Sequence, residues 1–177
     1  MTNDLAPDVA PIGPVAWTID SLLDALREDV KEHGLQCAYE LSQRVPDDLE
    51  LHVAGLVHDV AHRVTTEAMH GAVGADIVRP LLGDRVASLV KLHVDAKRYL
   101  VTVDPEYRAM LSSESVHTLA MQGGEMDDNE RAAFEAEPAA DDALVLRRAD
   151  EAAKVDGRDV PGLDHWEAIL RRMALTR

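Results

Sequence analysis

Of the 177 residues only Cys37 is a cysteine, so no intramolecular disulfide can form and zinc-thiolate chemistry is excluded. A reducing, cytoplasmic setting is the expectation. Aromatic side chains make up 3%, too little ring surface to stack bases or to build a membrane aromatic belt. Leu, Val, Ala and Met must therefore fill the core. Positive charge is also scarce: 18 Lys plus Arg stand against 33 Asp plus Glu, a formal charge of -15. That balance repels nucleic acid polymers and anionic lipid, so neither is an expected partner. Any anionic ligand has to be met by a local cluster of donors. No run approaches ~18 uninterrupted apolar residues, which excludes a spanning helix. Residues 1–17 lack a basic start and an apolar run and carry Pro11 and Pro14, so they read as an extended tail before one domain over 18–177.

What the sequence does have is helical period. Apolar residues recur every three or four positions almost throughout, and the one β-like run is Tyr99 to Val103. The expected fold class is all-α. Helix starts are signalled by Thr18 or Asp20, by Pro46 with Asp47 and Asp48, and by Asp84 after Gly83. Further starts fall at Asp104 with Pro105, Ser112 or Ser113, Asp127 with Glu130, Asp141 and Asp164. The acidic excess is concentrated over 104–142, which holds eleven acidic residues against Arg108 and Arg131. A solvated helical surface is the simplest reading of that stretch.

The eight histidines are the chemical signal. His58 and Asp59 end the apolar run Val53-Ala54-Gly55-Leu56-Val57, which places two hydrophilic groups at the inner end of a buried helix. Leaving both unpaired there is costly, whereas a divalent metal accepts neutral imidazole and carboxylate together. His33 upstream, and His70, His93 and Asp150 downstream, complete the candidate ligands on separate helices. A single ion needs only His33, His58, Asp59 and Asp150. The additional His70 and His93 argue for two ions bridged by Asp59. By contrast, His52, His117 and His165 fall outside the pattern, His52 as a solvent or cap residue. Trp17 and Trp166 read as anchors of the terminal segments.

Three candidate ligands have a cationic or proton-donating neighbour at helical spacing: His58 with His62, His93 with Lys97, Asp150 with Arg147. Ordinary surface pairing, such as Arg147 with Asp150 itself, is the plain alternative for each. Together they describe an anion pocket beside the metals, suited to a small phosphorus oxyanion.

These residues resemble the HD-domain superfamily, all-helical bundles around a central one- or two-metal site. More closely, the chain resembles the HD-domain mixed-valent di-iron oxygenases of organophosphonate catabolism. The resemblance runs from about His33 to Lys154 and is carried by Gly55-Leu56-Val57-His58-Asp59 with His62, and by His93-Val94-Asp95-Ala96-Lys97-Arg98-Tyr99-Leu100 with Asp104-Pro105. Ser112 with Ser115, Gln122-Gly123-Gly124, and Leu146-Arg147-Arg148-Ala149-Asp150 with Ala153-Lys154 extend it. It implies His33, His58, Asp59 and Asp150 on one iron and Asp59, His70 and His93 on the other, with Fe(II)/Fe(III) as the working state. It further implies His62, Lys97, Ser115 and Arg147 as the phosphonate clamp, His62 and Lys97 also acting in catalysis. Dioxygen would be the co-substrate, and carbon-phosphorus cleavage of a 1-hydroxyphosphonate would release phosphate and a carboxylate.

One departure concerns specificity. The family carries a Tyr and an amine-recognising Glu shortly before the first His, where this chain has Leu23 and Leu26. A substrate with an uncharged or less polar substituent is the expectation. The alternative with the same ligands is a Mn or Mg phosphohydrolase acting on a nucleotide or small phosphoester, through a bridging hydroxide. A third reading is a non-enzymatic module binding through the acidic surface.

Overall fold

A computed structural model describes residues 16–28 and 32–176. Most of the expected N-terminal tail lies outside the described residues. Ten helices and no strand occur among the described residues: α1 Ile19–Arg27, α2 His33–Arg44, α3 Leu49–Val57, α4 His70–Leu82, α5 Asp84–Val103, α6 Pro105–Met110, α7 Ser113–Met121, α8 Asp128–Glu135, α9 Ala140–Ala152 and α10 Leu163–Leu175.

Short polar side chains set many of the starts. Thr18 and Ser21 form a capping box on α1, and Asp127 with Glu130 forms one on α8. Asp48, Asp104 and Ser112 accept backbone N–H bonds at the starts of α3, α6 and α7, with Pro105 in the first turn of α6. Asp141 and Asp164 lie inside the first turns of α9 and α10 rather than at the cap, where a negative charge favours the helix dipole. The β-like run Tyr99 to Val103 is a correction: it forms the last turn of α5. Tertiary packing overrides local preference there, because Leu100 and Val101 complete the helical face that meets buried Tyr107.

The long helix α5 is the centre of the bundle, packed by α4, α9 and α3, while α2 lies against α3 and α9. Aliphatic residues fill the interior: Leu41, Val53, Leu82, Val86, Leu89, Val90, Leu146 and Leu170 are fully buried. Each such side chain contributes about 1.5–3 kcal/mol of transfer free energy. Arg85 ties three helix starts together, donating to both oxygens of Asp48 at 2.6 Å and to Asp142 at 2.8 Å. Trp166 is buried on α10, and Trp17 packs against the same core, as terminal anchors should. No described helix is long and apolar enough to cross a membrane.

Two helix pairs are pressed unusually close, and both carry the histidines. α2 begins His33-Gly34 and α4 begins His70-Gly71, neither with a side-chain cap. A Cβ on Gly34 would stand 2.4 Å from the carbonyl oxygen of Leu56, two residues before His58. A Cβ on Gly71 would stand 2.9 Å from the carbonyl oxygen of Lys91, two residues before His93. In each pair the missing side chain lets one histidine-bearing backbone reach the next.

Candidate metal centre

Four imidazoles meet two carboxylates at the middle of the bundle. His58, at the end of α3, turns Nδ1 to the Gly55 carbonyl at 2.7 Å. His70 Nδ1 faces the Glu67 carbonyl and His93 Nδ1 the Val90 carbonyl, both at 2.6 Å. His33 Nδ1 faces the Ala153 carbonyl at 3.4 Å. A carbonyl can only accept, so Nδ1 carries a proton in His58, His70 and His93, which turns each Nε2 inward. This is how histidines are oriented for a metal.

Three of the inward atoms have no adequate protein partner. His70 Nε2 and His93 Nε2 are 2.9 Å apart, two lone pairs face to face. His58 Nε2 is buried without a hydrogen bond, 3.4 Å from Asp59 Oδ2 and 3.8 Å from Asp150 Oδ1. Asp59 Oδ1 stands 3.6 Å from His70 Nε2 and 3.5 Å from His93 Nε2. His33 Nε2 lies 2.9 Å from Asp150 Oδ1. Two groups therefore share Asp59, His33 with His58 and Asp59, and Asp59 with His70 and His93, and each could hold an ion. Such a nitrogen and oxygen donor set suits iron or manganese.

The protonation pattern fits cation binding. Burial lowers the affinity of His58 for a proton, yet the carboxylates of Asp59 and Asp150 outweigh it and lift its pKa to about 9. Burial and the neighbouring His93 push His70 down to about 3, and burial, with His58 adding repulsion, also lowers His93. Two carboxylates thus hold His58 as a cation whose extra proton a metal ion would replace, while His70 and His93 stay neutral with open lone pairs. Asp59 and Asp150 remain ionised: burial opposes this, but His58 beside Asp59 and Arg147 beside Asp150 hold both well below the carboxylate range.

Cations line one side of this centre. Lys97, one turn after His93 on α5, is buried and donates to Thr118 Oγ1 at 2.6 Å and Gln122 Oε1 at 2.8 Å. Arg147, also buried, donates to Asp150 Oδ2, Tyr107 Oη, Ser115 Oγ and Glu151 Oε2. The pairing of Arg147 with Asp150 exists as well, and does not remove the arginine from the centre. His62 Nε2 stands 3.1 Å from Asp59 Oδ1, and its side chain is 36% exposed, at the mouth of the site. The helical spacing argued for His58 and His62 does not apply, because α3 ends at Val57 and a series of turns carries the chain on. His62 reaches Asp59 through a turn, its N–H bonded to the Asp59 carbonyl at 3.0 Å. His52 instead caps α2, its Nε2 2.7 Å from the Val45 carbonyl.

Residues 30–153 match the HD domain family model. Over 146 residues the chain is 38% identical to the hydroxymethylphosphonate dioxygenase of Gimesia maris, covering 76% of this chain and 72% of that one. Over 152 residues it is 34% identical to the glycine-betaine-forming 1-hydroxy-2-(trimethylamino)ethylphosphonate dioxygenase of Leisingera caerulea, covering 80% and 77%. The chain belongs to the HD-domain phosphonate oxygenases. An oxygenase of this kind requires a metal and dioxygen, and the histidine and aspartate cluster is where this HD domain can hold that metal.

Two residues of the HD-domain centre escaped the sequence reading. Glu67 sits between His62 Nδ1 at 3.4 Å and Gln122 Nε2 at 3.4 Å, and with His62 and His70 forms a third group able to hold an ion. It lies on an irregular segment where no period marks it. Glu151 takes donors from Arg147, Ser115 and Lys154. Its spacing of four from Arg147 and three from Lys154 was readable as a helical face.

Proposed function

We propose that this oxygenase uses two iron ions, working as an Fe(II)/Fe(III) pair, to cleave the carbon-phosphorus bond of a small 1-hydroxyphosphonate. The observation that carries the reading is the pair of histidine groups sharing Asp59, their lone pairs facing inward, beside buried Lys97 and Arg147. His33, His58, Asp59 and Asp150 hold one ion, and Asp59, His70 and His93 the other. The irons supply the redox chemistry that activates dioxygen. The substrate and one dioxygen become phosphate and a carboxylic acid, both oxygen atoms being retained in the two products.

The protein binds and orients. His62, Lys97, Ser115 and Arg147 hold the phosphonate oxygens through charge-assisted donors, which offset a dianion that the overall charge of -15 would otherwise repel. Tyr107 Oη accepts from Arg147 Nε at 2.6 Å and fixes the plane of the guanidinium. His62 and Lys97 also hold protons next to the reacting groups. Asp59, with its side chain 37% exposed, marks the side from which substrate enters.

The substituent is small and uncharged, hydrogen as in hydroxymethylphosphonate or a compact apolar group. The described acidic residues of and beside α1 are paired elsewhere: Asp20 with Arg171, Asp24 with Arg27 and Glu28 with Arg63, each at 2.7–2.9 Å. Leu23 is buried in the core and Leu26 packs against it. No carboxylate on α1 is then free to receive an ammonium group. Iron-reconstituted protein should release phosphate in air from hydroxymethylphosphonate far faster than from its 2-amino-1-hydroxyethyl and trimethylamino relatives. Preference for a cationic substrate refutes the assignment of the substituent. Electron paramagnetic resonance of the same samples should show a coupled Fe(II)/Fe(III) pair, and its absence in active protein refutes the iron assignment.

A further inference from the structure

We infer that Glu151 is the positioning residue of the anion pocket, an internal carboxylate that holds the phosphonate-binding side chains in place. The inference rests on the proposed anion pocket, and deepens it. Four donors from two helices converge on this one side chain. Glu151 Oε1 accepts the Ser112 N–H at 2.6 Å, at the start of α7. Glu151 Oε2 accepts Arg147 at 2.6 Å, Ser115 Oγ at 2.8 Å and Lys154 Nζ at 2.9 Å. The side chain is 12% exposed, so these bonds are sheltered from water.

The geometry distinguishes holding from mere neighbourhood. Arg147 and Glu151 share one face of α9, Lys154 follows just past its C-terminus, and Ser112 caps the first turn of α7, which carries Ser115. Glu151 is the anion that joins the two helices across the pocket. Ser115 Oγ also accepts from Arg147 at 3.0 Å and Lys154 at 2.6 Å, so its one hydrogen is directed to Glu151. When a phosphonate enters, that hydroxyl needs only to rotate about its C–O bond to donate to the new anion. Glu151 keeps its other three donors, and Arg147 and Lys154 stay where they are. Without the carboxylate, two cations and a serine lose their common acceptor. Lys154, on a flexible four-carbon stem and 24% exposed, is then free to turn to solvent.

A competing effect runs the other way. Removing a negative charge from the pocket strengthens its pull on any anion. Orientation wins if several donors depend on Glu151, and competition wins if Glu151 merely occupies the seat of the phosphonate. The full chain loaded with iron, held without oxygen, separates the two by calorimetric titration with inorganic phosphate and with hydroxymethylphosphonate. Glu151→Gln should weaken both by roughly tenfold or more, since three charge-assisted bonds are lost. Iron content should stay near wild type, and the unfolding midpoint should fall less than in Arg147→Met, because Arg147 keeps Asp150 and Tyr107 as partners. In turnover the Michaelis constant should rise by that factor, with kcat within about threefold. Glu151→Asp, which keeps the charge on a shorter stem, should recover part of the affinity, and it carries the test should the Gln variant fail to fold. Unchanged or tighter phosphate binding in either variant, or no phosphate binding by wild type, overturns the inference. Failure of the oxygenase reading looks different: wild type would then bind phosphate, and Glu151→Gln would weaken it, without any dioxygen uptake.

Discussion

His70 and His93, from different helices, present Nε2 atoms to each other at 2.9 Å while both Nδ1 atoms are engaged by backbone carbonyls. Two neutral imidazoles have no hydrogen to place between those atoms, so the contact is repulsive until a cation sits beside it. Metal binding should therefore be coupled to stability. Iron added without oxygen should raise the unfolding midpoint, and a strong chelator should lower it again. Wild type should hold about two irons per chain, His70→Ala or His93→Ala about one, and Asp59→Ala fewer than either. Elemental analysis after desalting reads these numbers.

The glycines that open α2 and α4 make a second expectation. Gly71→Ala places a methyl group 2.9 Å from the Lys91 carbonyl oxygen, and Gly34→Ala one 2.4 Å from that of Leu56, contacts relieved only by moving backbone. Overpacking of this kind costs about 1–3 kcal/mol. Because each helix start carries a histidine, the shift should also be read in the metal: Gly71→Ala should lose the ion at His70 and His93 first. Circular dichroism should show the helices retained.

Lys97 and Arg147 are both buried cations, yet their removal should differ. Arg147→Met leaves Asp150 and Glu151 without their main counter-charge and should destabilise by about 3–5 kcal/mol, measured by urea unfolding. The partners of Lys97 are the neutral oxygens of Thr118 and Gln122. Lys97→Met should therefore leave stability close to wild type while weakening phosphate binding about tenfold or more.

Burial, with Arg147 and Lys154 adding repulsion, lowers Lys97 from 10.5 to about 8. A bound anion raises that value again, so above pH 8 binding takes up a proton and affinity falls as pH rises. For stability the sign is opposite: between about 8 and 10.5 the unfolded chain binds more protons at this lysine, which stabilises the fold as pH rises. Titrations of wild type and Lys97→Met with phosphate from pH 7 to 10 isolate the effect. The decline belonging to Lys97 should be missing in the variant.

What the sequence made legible followed local rules. Thr18, Asp48, Asp104, Ser112 and Asp127 marked their helices because a short acceptor at a helix start satisfies otherwise orphaned N–H groups. The histidines and aspartates stood out because such side chains are costly at the inner ends of apolar runs. What depended on packing between distant segments stayed hidden. The starts of α2 and α4 carry no cap, being set instead by Gly34 and Gly71 against neighbouring backbones. The last turn of α5 looked like a strand until Tyr107 lay beneath it. His62 was placed by the wrong rule and still reaches Asp59, through turns rather than a helix.

The central claim is that a metal centre built on Asp59 couples dioxygen to carbon-phosphorus cleavage. The most direct measurement is paired recording of dioxygen consumption and phosphate release by iron-reconstituted protein given hydroxymethylphosphonate. One phosphate and one formate should appear for each dioxygen consumed, with nothing released under argon and nothing from Asp59→Ala in air. Phosphate released equally with and without dioxygen would contradict the account and identify the site as a hydrolase.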